Sequence, residues 1–227
     1  PATLDPMAVP TRTEALSLLM STSPKPRLLQ HMTVVAEVAA FLAFRAGRAG
    51  VAVDRRLVET AALLHDVDKA LPHEHPLRAL GHGEAGAAWL TEAGYPELAR
   101  AVIAHPVTKL IAPEAMTWVS DGPIEERIVT YADKRATQRV VSLEQRFDRW
   151  RSRHPEYAPK LDRALAVAQR LEAELCRTIG LEPTQVERLR WVDDAMARAA
   201  AAGAIELPPA EGAALPSVPA PADPSAA

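Results

Sequence analysis

One pair of neighbouring side chains in this sequence, His65 and Asp66, could bind a metal ion. The pair follows the apolar run of residues 61–64 (AALL), so both side chains are expected at the end of a buried helix. Burying an imidazole or a carboxylate without a partner costs on the order of several kcal/mol. A divalent cation can partner both, because it binds imidazole nitrogen together with carboxylate oxygen. The pair therefore indicates a site for Mn²⁺, Fe²⁺, Co²⁺, Ni²⁺, Zn²⁺ or Mg²⁺.

Two further metal-competent side chains are embedded in apolar segments that are distant from this pair in sequence. His31 lies in a long apolar stretch, and Asp133 lies in the segment 129–134 (VTYADK). Taken singly, each has an ordinary structural explanation. His31 is equally well a hydrogen-bonded core histidine, and Asp133 is equally well a buried carboxylate that pairs with Lys134 or Arg135.

The order and context of these residues resemble the HD-domain superfamily of metal-dependent phosphohydrolases, whose signature is H…HD…D. His31, the segment 63–69 (LLHDVDK) and the segment 131–134 (YADK) fill the signature in order. The resemblance covers roughly residues 28–153 and implies an all-α, single-domain helical bundle. It also implies that the metal ligands are His31, His65, Asp66 and Asp133, with Asp66 taking part directly in catalysis.

Two other histidines stand where two-metal branches of that superfamily carry theirs. His82 precedes the segment 83–87 (GEAGA), and His105 precedes Pro106. By the resemblance, Asp66 would bridge two metals and both histidines would bind the second. The alternative is that His82 is a helix cap or a surface residue and that His105 pairs with the carbonyl groups before it. The chain is therefore expected to hold one or two divalent ions.

The segment after the His-Asp pair departs from the superfamily at one position, because Asp68 stands where glycine is common. Asp68 could add a carboxylate near the metals or pair with Lys69. Lys69 is expected to stabilise charge on a phosphoryl oxygen, with an ordinary surface lysine as the alternative. We predict that Arg135 and Arg146 bind the substrate together with Lys69. The arginines from Arg146 to Arg153 either attract anions to the rim of the site or lie on a solvated helix face.

The chemistry that fits these residues is metal-assisted hydrolysis of a phosphate ester or anhydride. A bound metal lowers the pKa of its water and polarises a phosphoryl oxygen, and two metals roughly 3.5–4 Å apart clamp the attacking and leaving oxygens. The sequence suggests neither a Gly-rich phosphate loop nor a Ser-His-Asp or Cys-His arrangement. The resemblance allows nucleotides, dinucleoside polyphosphates, cyclic nucleotides and guanosine alarmones, so we expect a small, phosphorylated, nucleotide-like substrate.

Three other functions stay open on the sequence alone. The first is a metal-containing sensor or adaptor that binds a nucleotide without turnover. The second is a metal-free helical interaction protein in which the histidines and aspartates are hydrogen-bonding groups of the core. The third is a di-iron oxygenase on the same fold, which would contain iron and oxidise its substrate.

These residues must be positioned by helices, because strand signals are scarce and alanine is abundant in the sequence. Apolar residues recur at helical spacing. Asp54 is expected to cap the helix that ends near His65, and Gly180 is expected to end another. We predict helices over residues 13–20, 27–45, 54–65, 84–93, 97–105, 124–139, 143–151, 159–179 and 184–202.

Composition and charge set the remaining expectations. The apolar fraction is 48% and the formal net charge is −3, which is typical of a folded protein without a nucleic-acid-binding or membrane-binding surface. We expect residues 1–12 to be flexible, residues 13–206 to form the helical domain and the Pro/Ala-rich residues 207–227 to be disordered. No apolar run approaches the roughly 20 residues that span a bilayer, and no signal-peptide pattern is present, so a cytoplasmic location is expected.

Overall fold

The computed structural model describes residues 9–189 and Val192. All regular structure in this part of the chain is helical, apart from one isolated bridge between Ala136 and Val140. The α-helices are α1 (Arg12–Ser21), α2 (Pro26–Arg48), α3 (Arg55–Leu64), α4 (Glu84–Glu92), α5 (Ala99–Ala104), α6 (Ala115–Asp121), α7 (Ile124–Lys134), α8 (Leu143–Arg153), α9 (Ala158–Ile179) and α10 (Pro183–Glu187). Short 3₁₀ helices lie at Val67–Ala70, Pro76–Leu80, Pro96–Leu98, Val107–Ile111 and Pro155–Tyr157. The predicted all-α fold is confirmed.

Helix α2 forms the centre of the core and packs against α3, α7 and α9. Its apolar stripe of Val35, Val38, Ala39 and Leu42 is fully buried. Helix α5 contacts α3, α4 and α7, so several helix ends meet beside α2. Because burying a large aliphatic side chain contributes about 1.5–3 kcal/mol, this shared core holds those helix ends in place.

Local sequence signals explain where several helices begin and end. The Asp54 carboxylate accepts a hydrogen bond from the Leu57 amide at 2.9 Å and so caps α3, as predicted. Helix α9 ends at Gly180, whose φ of 62° lies in the left-handed region that glycine adopts without steric cost. Helix α2 extends beyond the predicted end at residue 45, runs through Gly47 and ends at Arg48, and the chain turns near Gly50, where φ is 79°.

One helix is shorter than predicted, and the difference shapes the functional region. The prediction of a helix over residues 124–139 is wrong at its C-terminus, because α7 stops before Arg135. The chain turns there, and the Thr137 amide donates to the Arg139 carbonyl while the Val141 amide donates to the Arg135 carbonyl, both at 2.8 Å. This turn brings the Thr137 carbonyl against α2. Helix α6 has no counterpart among the predicted helices.

The ends of the chain also differ from the predicted boundaries where they are described. Residues 9–12 were expected to be flexible, but Arg12 starts α1 and forms ion pairs with glutamates on α2 and α3. The predicted helix over 184–202 begins as α10, which ends after one turn. Of the rest of that prediction, residues 190–202 apart from Val192 lie outside the described residues, and so do residues 1–8 and the predicted disordered segment 207–227.

Helix α2 is long and apolar enough to cross a membrane when only its length and composition are considered. This corrects the expectation that no apolar run approaches the required length. More than half of its apolar stretch is buried inside the protein, where the helix contacts α3, α7 and α9. The core helix of a soluble protein passes the same test, so the finding is weak evidence for a membrane segment.

Candidate metal centre

The six side chains predicted as metal ligands lie in one cluster. Helix ends supply most of them, because the ends of α3, α5 and α7 converge beside α2. His31 comes from the second turn of α2, His65 and Asp66 from the end of α3, His82 from the loop before α4, His105 from the end of α5 and Asp133 from the last turn of α7.

Three side chains, His31, His65 and Asp133, form the first part of this cluster. Asp133 Oδ1 lies 3.2 Å from His31 Nε2 and 3.7 Å from His65 Nε2. Asp66 Oδ2 approaches the same two nitrogens at 3.6 and 3.5 Å. The structure thus brings together the four residues of the predicted first metal site.

The other oxygen of Asp66 faces a second pair of histidines. Asp66 Oδ1 lies 3.3 Å from His105 Nε2 and 3.4 Å from His82 Nε2. The two histidine nitrogens are 3.0 Å apart. Asp66 therefore lies between the two parts of the cluster and directs one carboxylate oxygen to each, which is the arrangement that a bridging ligand needs.

The four imidazole rings of the cluster are each held through Nδ1. The acceptors are three backbone carbonyls and one carboxylate: Thr137 O for His31 at 3.0 Å, Ala62 O for His65 at 2.7 Å, Val102 O for His105 at 2.6 Å and Asp68 Oδ2 for His82 at 2.9 Å. Because a carbonyl oxygen only accepts hydrogen bonds, the proton of each ring belongs on Nδ1. Nε2 then keeps its lone pair, and this is the tautomer that binds a metal.

Two features of the cluster destabilise the protein when no cation is bound, and a bound cation would remove both. Among the described residues, buried His65 Nε2 has no hydrogen-bond partner. The Nε2 atoms of His82 and His105 bring two lone pairs to within 3.0 Å of each other. A divalent cation accepts lone pairs of this kind, and mixed imidazole and carboxylate donors suit zinc and its neighbouring transition metals. The residues present therefore fit one or two divalent ions.

Asp68 joins the cluster as a third carboxylate, which settles an alternative that the sequence left open. With Asp66 and His82 it forms another group whose ligand atoms are close enough to share an ion. Its Oδ2 accepts the His82 hydrogen bond, and its Oδ1 is buried without a hydrogen-bond partner in residues 9–189. Lys69 pairs with Asp66 instead, at 2.8 Å, so Asp68 lies among the candidate metal ligands and is not the partner of Lys69.

Burial keeps two of the rings in the neutral form that metal binding requires. It lowers the pKa of His105 to about 4 and also lowers the pKa of His31. Burial acts on His65 in the same direction, but the carboxylates of Asp66 and Asp133 outweigh it and raise the pKa of that ring.

Lys134 belongs to this site, although the sequence indicated it only as an ion-pair partner. Its ammonium group is buried and donates to Asp133 Oδ2 at 2.5 Å and to the His105 carbonyl at 2.6 Å. Burial disfavours the charged form of Asp133, but Lys134 and the nearby imidazoles outweigh it and hold the pKa of that carboxyl well below its usual range. Lys134 thereby keeps Asp133 ionised and ties it to the helix end that carries His105.

The cluster opens into a cavity of about 280 Å³. The cavity is lined by the predicted substrate residues Lys69 and Arg146. Arg146 Nη2 lies 3.3 Å from Asp133 Oδ1. Three rings that also line the cavity, Trp150, His154 and Tyr157, were not predicted, and we call them the aromatic wall. Its sequence signal is the spacing of these three rings by four and three residues, but the functional prediction took no account of it.

Arg135, which was predicted to bind the substrate, does not reach this cavity. Its guanidinium is buried and faces α9 and α10. It donates to the Val141 carbonyl at 2.9 Å and to the Tyr131 hydroxyl at 2.6 Å, and it pairs with Glu172 and Glu187. The prediction is wrong because neighbouring helical residues point about 100° apart, so the side chain after Lys134 points away from the cluster.

We expect Arg135→Ala to lower the free energy of unfolding by about 3–5 kcal/mol, because it leaves the partly buried Glu172 without its cation. Metal content should stay unchanged, since Arg135 contacts none of the ligands. Urea unfolding and metal analysis measure the two effects. Arg177→Ala removes an exposed arginine that pairs with Glu174 and should leave the stability almost unchanged, because solvent screens an exposed ion pair. Metal loss at unchanged stability would instead assign Arg135 to the site.

Comparisons with known proteins agree with this arrangement. The HD domain family matches residues 28–138, a range that includes every member of the cluster. An uncharacterized protein of Methanocaldococcus jannaschii is 32% identical over an alignment of 127 residues, which spans 53% of this chain and 72% of that protein. No solved structure matches the chain.

Proposed function

This chain belongs to the HD-domain family of metal-dependent phosphohydrolases, and we propose that it hydrolyses a phosphate ester or phosphoanhydride bond of a nucleotide-like small molecule. One observation carries the proposal. Four imidazole Nε2 atoms, each fixed through Nδ1, converge on two carboxylates beside a cavity that also presents a lysine and an arginine. Metal ligands next to a lysine and an arginine suit a substrate that carries negative charge around the atom that reacts.

The cluster has enough ligands for two ions. When bound, such metals supply a hydroxide at neutral pH and withdraw charge from a phosphoryl oxygen. Asp66 would be shared between the ions, and Asp68 is available as a further oxygen ligand. We propose that the first ion is held by His31, His65, Asp66 and Asp133 and the second by Asp66, His82 and His105.

The charged side chains of the cavity are suited to holding a phosphate. Lys69 is half exposed, with its ammonium 2.8 Å from Asp66, so it can also reach a phosphoryl oxygen at the cavity surface. Arg146 presents a planar guanidinium next to Asp133 and can bind two oxygens of one phosphate. We propose that these two cations orient the phosphate and neutralise the charge that grows on its oxygens as the bond to the leaving group breaks.

The aromatic wall supports a nucleotide-like organic group. Tyr157 is half exposed and lines the same cavity as Lys69 and Arg146, and its ring centre lies 6.2 Å from that of His154. An aromatic face stacks on a nucleobase, and such stacking contributes roughly 1–3 kcal/mol per base. A nucleotide could therefore place its phosphate on Lys69 and Arg146 and its base on the aromatic wall.

The test is metal analysis of the purified protein followed by a phosphate-release screen. The screen covers nucleotides, dinucleoside polyphosphates and cyclic nucleotides with Mn²⁺, Mg²⁺, Co²⁺, Ni²⁺ and Fe²⁺. We expect a bound divalent metal and product release that Asp66→Asn abolishes. Asp121→Asn, which removes an exposed carboxylate on α6 outside the cluster, is the matched control and should retain full activity.

The other outcomes identify the alternative functions. Metal and nucleotide binding without product would indicate a sensor or adaptor, and iron with an oxidised product would indicate an oxygenase. Protein that binds no metal under any loading condition would indicate a helical interaction protein. A cytoplasmic location remains part of the proposal. So does a small-molecule substrate rather than a nucleic acid, which the formal net charge of −3 supports.

A further inference from the structure

A second cavity, of about 290 Å³, adjoins the metal cluster. Its polar floor includes Thr137 and Gln138, and no carboxylate is among the described residues that line it. We call it the arginine cavity, because its charged side chains are Arg27, Arg146, Arg149 and Arg153. Four guanidinium groups around one concavity of this size are suited to a multiply charged anion.

The arginine cavity adjoins the cavity of the metal cluster, because Arg146 and Trp150 line both. Arg146 separates them. Its Nη2 lies 3.3 Å from Asp133 Oδ1, and its guanidinium stacks 4.5 Å from the centre of the Trp150 ring. An anion in the arginine cavity therefore lies one side chain away from a metal ligand.

The positive charge of this cavity is concentrated and only partly compensated. Arg27 and Arg153 are exposed, and neither forms an ion pair within residues 9–189. Burial, together with the charges of Arg139, Arg153 and Arg146, lowers the pKa of Arg149. Crowding like charges in one place is unfavourable unless an anion offsets it. The formal charge of the whole chain is −3, so this positive surface is a local feature.

We propose that the arginine cavity binds a second phosphate group of the substrate while the phosphate to be hydrolysed lies at the metal cluster. This inference rests on the proposed function and narrows the substrate to compounds with at least two phosphate groups. Water adds to phosphorus at the metal cluster, the bond from phosphorus to the leaving oxygen breaks, and that oxygen takes up a proton. The phosphate in the arginine cavity is not altered and serves only to hold the substrate.

The test compares two substrates that differ by one phosphate, a nucleoside 3′,5′-bisphosphate and the matching 5′-monophosphate. In the Arg27→Ala/Arg153→Ala variant we expect KM for the bisphosphate to rise about tenfold or more, because two charge-assisted contacts are lost. We expect kcat, and KM for the monophosphate, to stay unchanged. Arg163→Ala removes an exposed arginine on α9 outside both cavities and is the matched charge control.

A binding measurement separates this inference from the proposed function. Calorimetric titration of chelator-treated protein with the bisphosphate needs no turnover, and the double variant should bind it about tenfold more weakly than the wild type. If neither compound is hydrolysed, the proposed function fails while this titration still tests the cavity. Equal affinity of wild type and double variant would overturn the inference.

The alternative occupant of the arginine cavity is a free anion that is not part of the substrate. If the cavity takes free phosphate or sulfate as an effector, added sulfate will change kcat for the monophosphate in the wild type but not in the double variant. That result would overturn the inference. We expect sulfate only to compete with the bisphosphate, raising its KM in the wild type and having little effect on its KM in the double variant.

Discussion

Asp133→Asn should reduce phosphate release at least about a hundredfold and lower the metal content of the protein. Asp133 Oδ1 faces the Nε2 atoms of His31 and His65, so the substitution removes negative charge from the point on which the first group of ligands converges. Metal content by mass spectrometry and phosphate release with Mn²⁺ measure the two effects.

The asparagine variant is preferable to Asp133→Ala because of Lys134. In Asp133→Ala the buried Lys134 ammonium would lose the carboxylate to which it donates, so a loss of metal could not be separated from a loss of stability. Breaking a buried ion pair from one side costs about 3–5 kcal/mol, whereas the asparagine oxygen still accepts a hydrogen bond.

Asp121→Asn is the matched control for this experiment as well, because Asp121 is exposed at the end of α6. It should retain wild-type metal content, activity and stability to within about 0.5 kcal/mol. Full metal occupancy in Asp133→Asn, measured beside this control, would show that Asp133 is not a metal ligand.

His82→Ala should reduce the number of bound Mn²⁺ ions from two per chain to one. The first site keeps all of its ligands, whereas the second loses one of the two imidazoles that face Asp66 Oδ1. His82 is partly exposed, so its truncation should change the free energy of unfolding by less than about 1 kcal/mol. Titration calorimetry with Mn²⁺ on chelator-treated protein gives the number of ions.

His105→Ala should lose the same ion but is a less clean test, because His105 is buried and its removal leaves a cavity. His154→Ala is the matched control for His82: it is an exposed histidine on the wall of the same cavity, outside the cluster. It should keep two ions. If the wild type never binds more than one equivalent, the two-metal interpretation is wrong, and His82 and His105 are better assigned to binding the phosphate of the substrate.

The sequence by itself determined the chemical types at this site and most of the helices that carry them. Burying an imidazole and a carboxylate together is unfavourable unless a group such as a cation interacts with both. His65 and Asp66 after an apolar run therefore indicated a metal site without any knowledge of the fold. Helix caps depend on residues three or four positions apart, which is why Asp54 and Gly180 marked helix ends correctly.

Only the tertiary structure decided which neighbours face the ligands. Lys134 and Arg135 are adjacent cations at the end of α7, and the sequence offered no reason to prefer one. Lys134 points into the cluster while Arg135 points towards α9, because the rotation of α7 is set by packing against α2, α5 and α9. Whether Asp68 lies near the other candidate ligands or pairs with Lys69 was undecided for a similar reason. Its observed partner, His82, lies beyond a loop that has no periodic pattern.

The arginine cavity also could not be predicted from the sequence, because its side chains come from segments that are far apart in the chain. Arg27 lies in the first turn of α2, whereas Arg146, Arg149 and Arg153 lie on α8, and no local pattern links the two segments. The arginines of α8 fitted a solvated helix face as well as an anion-binding rim. They line a common cavity with Arg27 because the core places the start of α2 beside α8, and the relative placement of helices depends on side-chain packing that is summed over the whole bundle.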